Sequence, residues 1–99
     1  MTKITFIFDN PEDTNSFEES FAGITDLFKG LPNTVKTEFS KVHPKEDGSA
    51  TPAHRMVDIY FETYDDACNA VKTAEAQKLF PDVFKISSGN VKVLFCEIK

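Results

Sequence analysis

One stretch, residues 54–71 (HRMVDIYFETYDDACNAV), changes from a strand pattern to a helix pattern within one or two residues. Its first part alternates apolar residues with others, which predicts a strand whose buried face carries Val57, Ile59 and Phe61. Thr63 is a suitable N-cap for the helix that follows, because its hydroxyl can accept from an unpaired backbone N–H. The stretch therefore predicts a strand that leads directly into a helix.

The remaining patterns place this unit in the second half of a βαββαβ chain. Strand patterns occupy residues 3–9, 35–43, 55–62 and 90–98. Helical spacing joins Phe17 to Leu31, and the second helix is expected to break near Thr73 and continue as a short piece interrupted by Pro81. Right-handed crossovers put the helices on one face of a four-stranded antiparallel sheet. The sequence thus predicts an α+β, ferredoxin-like fold.

Composition limits the partners and the classes of function. The 99 residues are 40% apolar, which is enough for one packed domain over residues 1–99. Eleven basic against 16 acidic residues give a net charge of −5, so nucleic acid is not an expected partner. Two cysteines and two histidines form no recognised metal-ligand spacing, and no metal site is predicted. No apolar run is long enough to span a bilayer and residues 1–10 lack a signal-peptide pattern, so we expect a cytoplasmic protein without a membrane partner.

The two faces of the predicted sheet differ in what covers them. Helices are expected to cover the face that carries Ile4, Phe6, Phe8, Val57, Ile59, Phe61, Val91, Val93 and Phe95. The opposite face would carry Thr5, Ile7, Met56, Asp58, Tyr60, Leu94, Cys96 and Ile98. Because an exposed apolar surface marks an interaction site, we predict a homodimer whose interface contains Ile7, Met56, Asp58, Tyr60 and Leu94. The alternatives are a shifted strand parity, or chain termini that fold over this face.

Asp58 interrupts an otherwise apolar strand on the predicted interface face. Buried charges need partners, so a hydrogen bond or an ion pair across the dimer is the preferred interpretation. The alternative is a carboxylate whose pKa is raised by burial and which acts as a general base. The sequence assigns no catalytic residue.

Three segments, residues 17–33, 40–67 and 74–98, resemble the EthD family, which is named for an ethyl tert-butyl ether degradation locus. The first segment is similar to the family's first helix and to the leucine-proline pair that ends it. The second is similar to the family's second and third strands and the Gly/Pro loop between them, and the third to its last helix and strand. The resemblance implies a dimeric α/β-barrel, in which two ferredoxin-like halves pack sheet against sheet. Barrels of this group include monooxygenases, cyclases, isomerases and haem proteins, and often hold a small organic molecule between the sheet and the helices. No cofactor is predicted for this chain.

The chain departs from the family's pattern at one position. Members commonly carry a His about seven residues before the leucine-proline pair, and counting back from Leu31 gives Ile24. An imidazole can transfer protons near neutral pH, whereas an aliphatic side chain cannot. Chemistry that uses this His is therefore expected to be absent here, or to proceed differently.

Seven residues would surround any cavity between the helices and the sheet: Phe6, Phe8, Ile24, Phe28, Thr37, Phe39 and Phe84. They predict either an aromatic-lined pocket for a small apolar or aromatic compound or a solid core. With the resemblance, a pocket favours oxidative degradation or rearrangement of such a compound by a cofactor-independent oxidoreductase or isomerase. One alternative is a non-catalytic dimeric interaction or ligand-binding module. The other is an RNA-recognition-type binder of single-stranded RNA, which Asp58 and the net charge disfavour.

Overall fold

The computed structural model describes residues 1–99 and has the predicted βαββαβ order, with the second helix divided in two. The elements are β1 (Thr2–Phe8), α1 (Thr14–Lys29), β2 (Thr34–Lys41), β3 (Arg55–Phe61), α2 (Tyr64–Ala70), α3 (Ala74–Ser87) and β4 (Val91–Glu97). The strands are antiparallel and lie in the order β2-β3-β1-β4, which confirms the ferredoxin-like α+β fold. None of the helices combines the length and the apolar character needed to cross a membrane.

Threonine caps explain why the second helix is divided. Thr63 Oγ1 accepts from Asp66 N at 3.1 Å where α2 begins, as the sequence predicted. Thr73 Oγ1 accepts from Ala76 N at 3.3 Å where α3 begins. Each hydroxyl satisfies a backbone donor that has no partner within its helix, so Thr73 starts a new helix at the predicted break.

The last helix is longer than the short, interrupted piece that was predicted. α3 runs for 14 residues and continues through Pro81. Leu79 and Val83, on either side of the proline, are fully buried in the core. The free energy gained by burying these two side chains offsets the loss of the backbone hydrogen bond that proline cannot donate.

One hydrophobic core fills the space between the helices and the sheet. The predicted inner faces of β1 and β3 are confirmed, because none of their six apolar residues is exposed: Ile4, Phe6, Phe8, Val57, Ile59 and Phe61. The prediction for β4 is wrong at Phe95, which is 42% exposed. β4 is an edge strand, and the Phe95 ring packs edge-on against Tyr64 at the rim of the helical layer, with centroids 6.1 Å apart.

Candidate functional site

Aromatic residues predicted to surround a cavity form a closed cluster between the helices and the sheet. Phe6, Phe8 and Phe28 are fully buried. The ring centroid of Phe28 lies 5.2 Å from that of Phe6, 6.5 Å from that of Phe8 and 5.9 Å from that of Phe39. All three ring pairs are nearly perpendicular, an arrangement that packs closely and stabilises a core. These residues therefore match the solid-core alternative.

The other predicted cavity residues lie at separate places. Thr37 is half-buried on β2, on the helix-covered side of the sheet, opposite Ile59. Phe84 is 47% exposed, because the buried Val83 fixes the orientation of α3 and leaves the next residue pointing outward. Ile24 is buried on α1 and lines a groove against α3. Of the seven residues, Ile24 alone lines a groove at the surface.

A groove of about 620 Å³ separates α1 from the end of α3 and from the turn that leads into β4. Its apolar floor consists of Phe17, Ile24 and Ile86. Small polar side chains surround this floor: Asn10, Ser16, Ser20, Ser87, Ser88 and Asn90. The volume lies within the range of small-molecule sites, and a mixed lining of this kind suits a compound with an apolar body and a polar group.

Charged residues around the groove are mainly acidic. Four carboxylates, Asp9, Glu12, Asp13 and Asp82, line it together with a single amine, Lys85. Asp13 caps α1 by accepting from Ser16 N at 3.1 Å, and this hydrogen bond lowers the pKa of its carboxyl group. Asp9 accepts from the backbone N–H of Asn10 at 2.8 Å. The groove therefore has a negative electrostatic character.

The sheet face opposite the helices, which we call the open face, is polar at one side. Cross-strand register places Glu38, Asp58, Thr5 and Leu94 in one row. Asp58 is only 7% exposed, and its Oδ1 accepts from Thr5 Oγ1 at 2.5 Å and lies 3.4 Å from Lys3 Nζ. Asp58 therefore has partners within its own chain, whereas its place in the sequence favoured a partner across a dimer.

Tyr60 belongs to the same polar side of the open face. Its hydroxyl donates to Glu38 Oε1 at 2.6 Å, and Lys36 Nζ lies 4.6 Å from the centre of its ring. The hydrogen bond to Glu38 stabilises the neutral phenol and raises the pKa of Tyr60 to about 12. Tyr60 is consequently a neutral hydrogen-bond donor at physiological pH.

At the end of the sheet where Ile7 pairs with Met56 and Lys92, the open face borders a hollow of about 630 Å³, whose polar lining is Asp9, Asn90 and Lys92. Two predicted interface residues, Ile7 and Met56, lie in it with four more apolar ones: Val42, Pro52, Ala53 and Val91. Leu94, the third apolar residue of the predicted interface, is 43% exposed on the same face. The five predicted interface residues thus share one face, on which the apolar Ile7, Met56 and Leu94 lie beside charged residues, Lys92 of β4 among them.

A cluster that no sequence pattern predicts joins α1 to the start of β3. Arg55 holds Glu18 with two hydrogen bonds, from Nε to Oε2 at 2.7 Å and from Nη2 to Oε1 at 2.6 Å. His54 Nε2 lies 3.4 Å from Glu18 Oε2 without forming a hydrogen bond, and the His54 ring packs on Phe17 at 5.3 Å. His54 is therefore a packed side chain between α1 and the start of β3. No local pattern joins these residues, since Glu18 and Arg55 are 37 positions apart.

The cluster predicts a loss of stability in acid. Hydrogen bonds from Arg55 lower the pKa of Glu18 from 4.5 to about 2. A carboxylate with a lowered pKa stabilises the fold fully above its unfolded value and loses this effect as the pH falls through the folded value. At pH 7 we expect Glu18→Gln to lower the free energy of unfolding by about 1–2 kcal/mol, a value reduced for solvent screening.

Urea denaturation from pH 7 to pH 2 measures this difference. The gap between wild type and Glu18→Gln should close as the pH falls from about 5 to about 2. Glu19→Gln is the matched control, since Glu19 is exposed on the same helix and forms no ion pair. A gap that stays constant down to pH 2 would show that the Glu18 carboxylate does not stabilise the fold.

Comparison with known proteins places the fold. No protein-family model matches the chain. A relative from Rhodococcus erythropolis, described as an uncharacterized 11.0 kDa protein in the thcB-thcC intergenic region, is 26% identical over 98 residues, which are 98% of this chain and 94% of the relative. The structure of an EthD family protein from Bacillus halodurans superposes with a TM-score of 0.92 at 19% identity, over 100% of this chain and 99% of that one.

Two further solved structures share the architecture. A dimeric ferredoxin-like protein of unknown function from Jannaschia sp. has a TM-score of 0.67 at 10% identity, over 99% of this chain and 100% of that one. A cofactor-independent oxygenase from Streptomyces nogalater has a TM-score of 0.64 at 12% identity, over 99% of this chain and 91% of that one. The resemblance to EthD proteins is thus confirmed at the level of the fold.

Proposed function

We propose that this chain is an EthD-like homodimer that binds a small apolar or aromatic compound in the groove between α1 and α3. The observation that carries the proposal is the groove itself, whose apolar floor of Phe17, Ile24 and Ile86 lies within a polar rim. An apolar floor can hold the body of a small organic compound, and the polar groups around it can orient the compound by hydrogen bonds. The dimer is supported by the exposed Leu94 and by the apolar residues of the hollow that borders the open face, and proteins of the same fold are described as dimeric.

If the chain catalyses a reaction, the family resemblance favours this groove as the place where the reaction occurs. Ile24, which lies in the floor, occupies the position at which the EthD pattern has a His. Cofactor-independent oxidation or rearrangement of the bound compound is the reaction class that the resemblance favours. A second candidate, a ligand-binding module without catalysis, is favoured by Ile24 because an aliphatic side chain cannot accept a proton.

Blocking the groove tests the binding proposal. Ser20 is exposed on α1 and lines the groove, so Ser20→Trp is expected to fill it without disturbing the core. With 1-naphthol as the probe, this variant should bind at least about tenfold more weakly than wild type, because the indole ring occupies the ligand's space. Isothermal titration calorimetry measures the two affinities.

The matched control is Ala22→Trp, at another small, exposed residue of α1 that does not line the groove. It should bind 1-naphthol as wild type does. Equal affinity in all three proteins would contradict binding in the groove. Oxygen uptake in the presence of 1-naphthol separates the two candidates, since uptake that Ser20→Trp abolishes favours oxidation, and binding without uptake favours the non-catalytic module.

A further inference from the structure

One carboxylate of the groove differs from the other three. Asp82, on α3, is half-buried and takes part in no hydrogen bond or ion pair in the structure. By contrast, Asp9, Glu12 and Asp13 are exposed, and two of these three already accept a backbone N–H. A ligand that donates a hydrogen bond to Asp82 would make a charge-assisted contact that no other group of the chain supplies.

From this difference we infer that Asp82 sets the specificity of the groove and anchors the hydrogen-bond donor of its ligand. The preferred ligand has an apolar body, which rests on Phe17, Ile24 and Ile86, and carries a donor group, above all a protonated amine. This inference rests on the proposed function, since it adds the chemical class of the compound that the groove receives.

The charges of the lining favour an amine over an acid. Four carboxylates face one ammonium group, so the groove attracts cations and repels anions. Lys85 follows Asp82 by three positions on the same helix, yet it does not form an ion pair with it. The Asp82 carboxylate thus remains available to a donor from outside the chain.

Three probes with the same aromatic body measure the selectivity: 1-naphthylmethylamine, 1-naphthalenemethanol and 1-naphthoate. In calorimetric titrations of the 99-residue chain at pH 7 and low salt, the amine should bind at least about tenfold more tightly than the acid, with the alcohol between them. Asp82→Asn should reduce the affinity for the amine to about that for the alcohol, because the amide carries no charge. Lys85→Gln should increase the preference for the amine.

Glu75→Gln is the matched control, since it removes a carboxylate from the exposed first turn of the same helix, outside the groove. It should leave the ratio of amine to acid affinity at the wild-type value. Two results would contradict the specificity role of Asp82 and leave the proposed function intact. Either the acid binds as tightly as the amine, or Asp82→Asn has no more effect on the affinity ratio than Glu75→Gln. If none of the three compounds binds, the groove is not a ligand site and both proposals fail.

Discussion

Replacing Phe28 by Ala is expected to lower the free energy of unfolding by about 3–5 kcal/mol. Phe28 has no exposed surface, and its ring contacts four others: Phe6, Phe8, Phe21 and Phe39. Removing it leaves a cavity among rigid aromatic rings that cannot collapse to fill the space. A domain of this size has a total stability of about 5–15 kcal/mol, so the variant should retain only a small part of it. Thermal denaturation should show a midpoint lower by at least about 12 °C.

Phe84→Ala is the control for this prediction. It removes the same ring from a position that is 47% exposed, so the expected loss is below about 1 kcal/mol. Chemical denaturation of both variants compares the two losses directly. Similar losses would contradict the division of the phenylalanines into an inner cluster and an exposed side chain on α3.

Replacing Leu94 by Asp is expected to separate the proposed dimer into single chains. Leu94 is 43% exposed on the open face, and in the proposed dimer the second copy covers it. An aspartate there would have to lose its hydration against an apolar surface, which costs several kcal/mol when no partner compensates it. The dimer dissociation constant should rise at least about 100-fold, a change that sedimentation velocity over a range of concentrations can measure.

Phe95→Asp provides a control at the neighbouring residue. Phe95 has almost the same exposure, 42%, but adjacent residues of a strand point to opposite faces, so it lies on the helical side. This variant carries the same added charge and should remain dimeric. If both variants dissociate, or if neither does, the open face is not the dimer interface.

The sequence predicted those parts of the fold that depend on local periodicity. The alternation in β1 and β3 places Phe6, Phe8, Val57 and Ile59 correctly, because both strands lie in the centre of the sheet with helices over one face. The same reasoning is wrong for Phe95. Periodicity states which side a residue faces, whereas coverage of an edge strand depends on how far the helices extend.

The candidate site was less predictable, because it depends on which elements meet. Ile24 belongs to the same buried core as Phe6 and Phe28, and it also lines the groove against α3, which periodicity along α1 does not state. The bidentate contact of Glu18 with Arg55 joins two elements whose packing angle no local pattern states. Likewise, the availability of Asp82 follows from the side chains that surround it in the folded chain and not from its neighbours in sequence.

Sedimentation equilibrium of the unmodified chain shows whether a second copy is present to cover the open face. At protein concentrations from about 10 μM to 1 mM, we expect a species of twice the 11.1 kDa mass of one chain. A species that stays at 11.1 kDa up to the highest concentration would contradict this expectation.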